Sequence, residues 1–163
     1  PLLILATRNF WNGAALNLDL AGTVCYIVCM LCVGFLEEVI FRGLLFRAMA
    51  EDNVTKAIIV SSVTFGLGHL VNLVNGSGAG IVENLFQVTA AIAIGFLFVI
   101  LFYRGGSLLP CILTHAAINL TSIFTNEVGL TVEKRLVFQV ILLAVTLGYS
   151  FVLTRTLPKN RLR

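Results

Sequence analysis

Residues 20–46 read LAGTVCYIVCMLCVGFLEEVIFRGLLF, an apolar run interrupted only near its end by Glu37, Glu38 and Arg42. A helix needs about 20 residues to cross a hydrocarbon core of about 30 Å, and this run is long enough. Backbone groups in lipid must satisfy one another, so the run is a helix rather than a strand. A charge at mid-bilayer costs at least ~2.5–3.5 kcal/mol on insertion scales, so such side chains normally face the bundle interior and serve a purpose.

Outward from this stretch, four further apolar segments follow: about Ala57 to Leu73, Leu85 to Tyr103, Leu108 to Phe124 and Leu136 to Leu153. Ala57 to Leu73 and Leu108 to Phe124 are marginal in length for a span. Short polar or glycine-rich links separate them: Ala50 to Asn53, Asn75 to Gly80 and Arg104 to Gly106, with a longer loop from Thr125 to Arg135. The expected fold is an all-α polytopic membrane bundle with about five transmembrane helices. One membrane-embedded domain would occupy residues 1–163, with its motif core at about 34–119. The stretch from Pro1 to Asp19 fits the end of an earlier helix plus a loop, and the sequence does not decide it. A first residue other than Met reads as a fragment of a larger bundle or a processed chain.

Composition points the same way. Of 163 residues, 58% are hydrophobic and 12% charged, and the mean hydropathy is +0.99. Soluble domains carry about 25% charged side chains. A soluble enzyme, a disordered tail and a disulfide-stapled module are thereby excluded. A net charge of +3 is too small to indicate a nucleic-acid partner. Cys25, Cys29 and Cys32 recur at helical spacing in one apolar run, and with Cys111 they read as free thiols packing in helix contacts rather than as metal ligands. With alternating spans, Arg42, Arg47, Lys56, Arg104, Arg155, Lys159, Arg161 and Arg163 fall at or near one face, and Arg8, Lys134 and Arg135 at the other. That asymmetry predicts a cytosolic C-terminus, with the terminal basic cluster anchoring near anionic lipid.

The ionisable and amide groups inside spans are Glu37, Glu38, Arg42, His69, His115 and Asn119. Measured at ~1.5 Å per residue from the helix ends on the basic face, Glu37 and His115 lie roughly 16 Å deep and His69 roughly 20 Å. Three segments thus deliver a carboxylate and two imidazoles to similar depth. Glu38 and Arg42 stand i, i+4 with the acid first, the favourable order for an ion pair that braces the helix. Glu37 points about 100° away, without that partner. A desolvated, unpaired carboxylate suits a general base near neutral pH. His115 and Asn119 share a helix face and can aim donors at one point, as an oxyanion requires. His69 could hold a water together with Glu37. Asn72, close to one turn past His69, could line the same cavity or simply end its helix, and Phe65 reads as packing.

Glu37-Glu38-Val39-Ile40-Phe41-Arg42 resembles the EExxxR motif of the CPBP membrane proteases, the type II CAAX prenyl endopeptidases and their bacteriocin-processing, Abi-like relatives. Phe65 to His69 resembles that family's FxxxH, and His115 to Asn119 its HxxxN. The three occur in the family's order, each in an apolar segment. The resemblance implies further N-terminal helices and an intramembrane endopeptidase acting on a prenylated protein C-terminus or a leader peptide at the cytosolic side. It implies that Glu37 and His69 activate water, that His115 and Asn119 stabilise the oxyanion, and that Glu38 and Arg42 brace. The family is often labelled metalloprotease, and a Glu-His-His set could bind a divalent metal such as zinc. The HExxH spacing of the zincins is absent, so glutamate-activated water is the preferred expectation. A second class stays open: a non-catalytic immunity or scaffold protein, or a small transporter, using the same polar layer.

Overall fold

The computed structural model describes residues 1–75 and 80–158. Gly76 to Ala79 of the expected glycine-rich link, and Lys159, Arg161 and Arg163 of the basic C-terminal set, lie outside the described residues. A short helix α1 (Leu2–Ala6) and a 3-10 turn (Arg8–Phe10) precede α2 (Leu20–Ala50), α3 (Val54–Leu73), α4 (Ile81–Gly105), α5 (Leu109–Phe124) and α6 (Val132–Thr156). Among the described residues α2, α3, α4 and α6 are long and apolar enough to cross a membrane, and α5 is a shorter apolar helix. This is the expected all-α membrane bundle.

α3, α4 and α6 begin ahead of their apolar runs, and polar side chains cap the starts of α2, α3 and α6. Asp19 accepts from Gly22 N (2.8 Å), Asn53 from Lys56 N (2.9 Å) and Thr131 from Lys134 N (3.4 Å). Each side chain satisfies an amide that a first turn leaves open.

Two spans lose regular α geometry next to the motif residues. In α2 a π-helical stretch, Val39–Phe46, starts directly after Glu38 and contains Arg42. Such stretches are rare and recur at functional sites. The buried Ser61 hydroxyl of α3 donates to the Phe41 carbonyl within it (2.8 Å). In α3 the last turns tighten into a 3-10 segment, Gly68–Leu73, which carries His69.

The central helix is α4, packed against α3 and α6, while α2 packs on α5. Gly34 makes that second contact close. A Cβ there would stand 3.0 Å from the backbone of Ala116, so a larger residue would push α2 away from α5.

The N-terminal stretch left open by the sequence folds back onto the C-terminal end of α5. Asn9 Nδ2 donates to Ile118 O (2.6 Å) and Thr121 Oγ1 (2.8 Å). Asn12 and Asn17 bind carbonyls of Asn126 and Ile123 (2.8 and 2.7 Å), and Leu5 is fully buried.

Two sequence expectations need correction. Cys25, Cys29 and Cys32 are exposed on the outer side of α2; only Cys111 is buried in helix contacts, and all four are free. Arg42 is fully buried beside Glu38, so it is not one of the bases at the C-terminal face. Arg104 does belong there, donating to the Leu157 carbonyl (2.9 Å).

Candidate active site

Glu38 and Arg42 form the expected pair, Arg42 Nη1 donating to Glu38 Oε1 at 2.9 Å with both side chains wholly buried. The guanidinium also lies over the Phe65 ring, 4.2 Å from its centroid. Gly95 of α4 makes room for it, since a Cβ there would come within 3.0 Å of Arg42 Nη2. A desolvated cation on an aromatic face is worth about 2 kcal/mol, which helps to hold a charge that deep.

The sequence did not reveal that Glu38 has a second partner. His115 Nδ1 lies 2.8 Å from the same Glu38 Oε1, and His115 Nε2 lies 3.4 Å from Glu37 Oε2. One imidazole therefore bridges the two glutamates. An ionised carboxylate only accepts hydrogen bonds, so Nδ1 carries the proton toward Glu38 and Nε2 is the nitrogen turned to Glu37. Glu38 thus joins Arg42 to His115 and fixes the ring, the role carboxylates often play behind working histidines. Glu37 differs in setting: its side chain is 33% exposed against 7% for His115 and 0% for Glu38.

That exposure is to a cavity of about 720 Å³. Glu37, His115 and Phe65 line it, as do His69, Asn72 and Asn119. The structure therefore brings the four sequence-predicted residues Glu37, His69, His115 and Asn119 to one space, with Glu38 and Arg42 behind its wall. Phe65 is more than packing: its ring meets His69 and His115 edge-to-face, at centroid distances of 5.7 and 5.5 Å, and so sets the spacing between the imidazoles. Asn84, which the sequence reading passed over, is fully buried on α4 and donates to the His69 carbonyl (2.9 Å). Asn72 donates to Gln87 one turn further along α4 (2.9 Å), so α4 ties down the 3-10 segment at two points. The available signal was an amide immediately ahead of the apolar run that begins at Leu85.

The cavity deepens to Glu37 and Ile94, near the middle of α2 and α4, and extends past Tyr26, Asn75 and Ser122 to Arg8 and Asn9. It runs toward the face that carries Asp19 and Thr125, away from the Ala50 and Gly105 turns.

Among the described residues no three His, Cys, Asp or Glu side chains are grouped to hold a metal ion. His115 Nδ1 faces Glu38, which leaves Nε2 as the nitrogen turned to Glu37 and the cavity.

Long apolar helices around a sunken acid, imidazole and amide cluster define an integral membrane protein with a polar centre inside the bundle. Residues 19–121, well over half of the chain, match the family described as Type II CAAX prenyl endopeptidase Rce1-like, and the chain belongs to that family. The match covers all seven motif residues and supports a CAAX-type membrane protease; Arg8 precedes it. No curated protein and no solved structure matches the chain.

Proposed function

We propose that the protein is an intramembrane endopeptidase that hydrolyses a peptide bond of a lipidated or membrane-associated peptide by glutamate-activated water. The observation that carries this reading is Glu37 Oε2 facing His115 Nε2 at 3.4 Å on the wall of the cavity that His69 and Asn119 also line. Glu37 takes a proton from a water held with His69. The resulting hydroxide attacks the scissile carbonyl carbon, whose C=O becomes an oxyanion. Asn119 Nδ2 donates to that oxygen, and so does His115 Nε2, the ring entering the step as an imidazolium with both nitrogens protonated. Glu38, accepting from Nδ1, holds that cation in place throughout. Glu37 then delivers its proton to the departing amine, the C–N bond breaks, and the base is restored. No step in this sequence needs a metal.

Two further assignments belong to the proposal. The substrate is a prenylated protein C-terminus or a comparable leader peptide, presented from the face onto which the cavity runs. The end bearing Arg47, Lys56, Arg104 and Arg155 is cytosolic by its excess of bases.

The test is cleavage of a prenylated CAAX peptide by the purified protein in lipid vesicles, repeated with His69→Ala and after exhaustive chelation. The proposal expects hydrolysis that survives chelation and falls by about 10²–10⁴ in His69→Ala with folding retained. Loss on chelation that zinc restores would replace the glutamate mechanism by a metal one. No cleavage, together with ion flux that depends on Glu37, would turn the reading to a transporter.

A further inference from the structure

Arg8 is the one cationic side chain besides the histidines that lines the large cavity among the described residues, and Glu37 is its one carboxylate. The Arg8 guanidinium makes no hydrogen bond or ion pair to any described residue, whereas Arg42 is paired with Glu38, Arg104 with a carbonyl, and Arg135 lies 3.9 Å from Glu127. A half-buried arginine without a counter-charge is costly unless its partner arrives with a ligand. The position is fixed rather than fluctuating. Asn9, next in the chain, is hydrogen-bonded to Ile118 and Thr121 of α5, and Trp11 packs edge-to-face on Phe138 of α6 (5.7 Å). Arg8 also lines a second, smaller cavity with Arg135, so its surroundings are the polar rim and not the apolar core.

We infer that Arg8 binds a carboxylate of the peptide, its free C-terminal α-carboxylate, while the scissile bond lies at Glu37. This rests on the endopeptidase reading above. The two ends of the cavity are complementary to such a ligand: a cation at the rim for the terminus, and a base with oxyanion donors at depth for the bond to be cut.

Pockets of about 300–1,000 Å³ enclose ligands of small-molecule size, so this cavity of about 720 Å³ holds a short tail rather than a chain threading through. A terminal carboxylate therefore suits it better than a side-chain carboxylate within a continuing chain. The arginine fork matches a carboxylate bidentately, which a lysine does not.

The test compares one prenylated CAAX peptide in three forms: free acid, C-terminal amide, and amide with Asp as its last residue. Each is offered to the wild type, Arg8→Gln and Arg8→Lys in phosphatidylcholine vesicles and in vesicles with added phosphatidylglycerol. Wild type is expected to cut the acid about tenfold to a hundredfold better than the plain amide in kcat/KM, mostly through KM. Arg8→Gln erases that preference, acid and amide then being cut alike, and Arg8→Lys restores part of it. Equal cleavage of acid and amide by the wild type, or an undiminished preference in Arg8→Gln, overturns the inference. So does an Asp amide cut as well as the free acid, which assigns Arg8 to a side-chain carboxylate. A response to Arg8→Gln that follows phosphatidylglycerol and not the peptide terminus overturns it in favour of a lipid phosphate. Any of these, found while Glu37→Gln still abolishes cleavage, leaves the endopeptidase reading standing. If the wild type cuts none of the peptides, both fall.

Discussion

Toward the Ala50 and Gly105 turns, Phe46, Leu97, Phe98 and Leu153 belong to one buried apolar cluster. Toward Asp19 and Thr125, the same helices part around Glu37, His69, Asn72 and Asn119 and leave a cavity of about 720 Å³. The packed half needs only apolar side chains of the right volume. The open half needs polar groups held in position on a wall they share with Val33, Phe65 and Ile94. The bundle meets that need at the border, where Glu38, Arg42, Phe65 and His115 form a buried network resting on the packed side and facing the cavity with one imidazole edge. A close-packed floor and an open chamber are thus two consequences of one arrangement of helices.

The strongest test of this division is Glu38→Ala. It strips Arg42 and His115 of a shared partner at once, and breaking a buried pair costs about 3–5 kcal/mol. Thermal melting in detergent should fall accordingly, and cleavage should be lost even below the melting transition. A variant that melts normally and cuts normally would deny the network its bridging role.

Leu97→Ala probes the packed half alone. A fully buried leucine truncated to alanine costs about 2–5 kcal/mol, while kcat per folded molecule should stay near the wild-type value. A large fall in kcat without a stability change would mean that the two halves are not separable.

Asn84→Ala is expected to be smaller in stability, about 1–3 kcal/mol for an orphaned buried group, but it frees the His69 segment. Cleavage should drop more than the melting temperature implies, measured as kcat/KM at matched folded fraction. Cys25→Ala, Cys29→Ala and Cys32→Ala lie on the exposed side of α2 and should each change stability by less than about 0.5 kcal/mol.

Much of this was legible from residue order, because lipid leaves few options. Apolar runs must be helices, and ionisable groups within them must turn inward; Glu37, His69, His115 and Asn119 follow from those two rules and from their depth. Helical spacing also paired Glu38 with Arg42. It could not pair Glu38 with His115, which lies 77 residues away and meets it only because Gly34 lets α2 and α5 approach. Arg42 was misplaced at a face because a charge count does not see burial. The cysteine stripe was expected in helix contacts because an apolar position says nothing about which side of α2 is covered. The N-terminal stretch depended on three asparagines whose partners lie more than a hundred residues ahead, and no local pattern announces that. The direction of the cavity likewise emerges only when five segments are assembled.

The central claim is that the Glu37 carboxylate activates the attacking water, and single-turnover cleavage of a prenylated peptide by Glu37→Gln tests it most directly. An amide of the same shape keeps the cavity and cannot take the proton, so the rate should fall by about 10²–10⁴ while melting stays at the wild-type value. Hydrolysis at the wild-type rate in that variant would remove Glu37 as the base and the account with it.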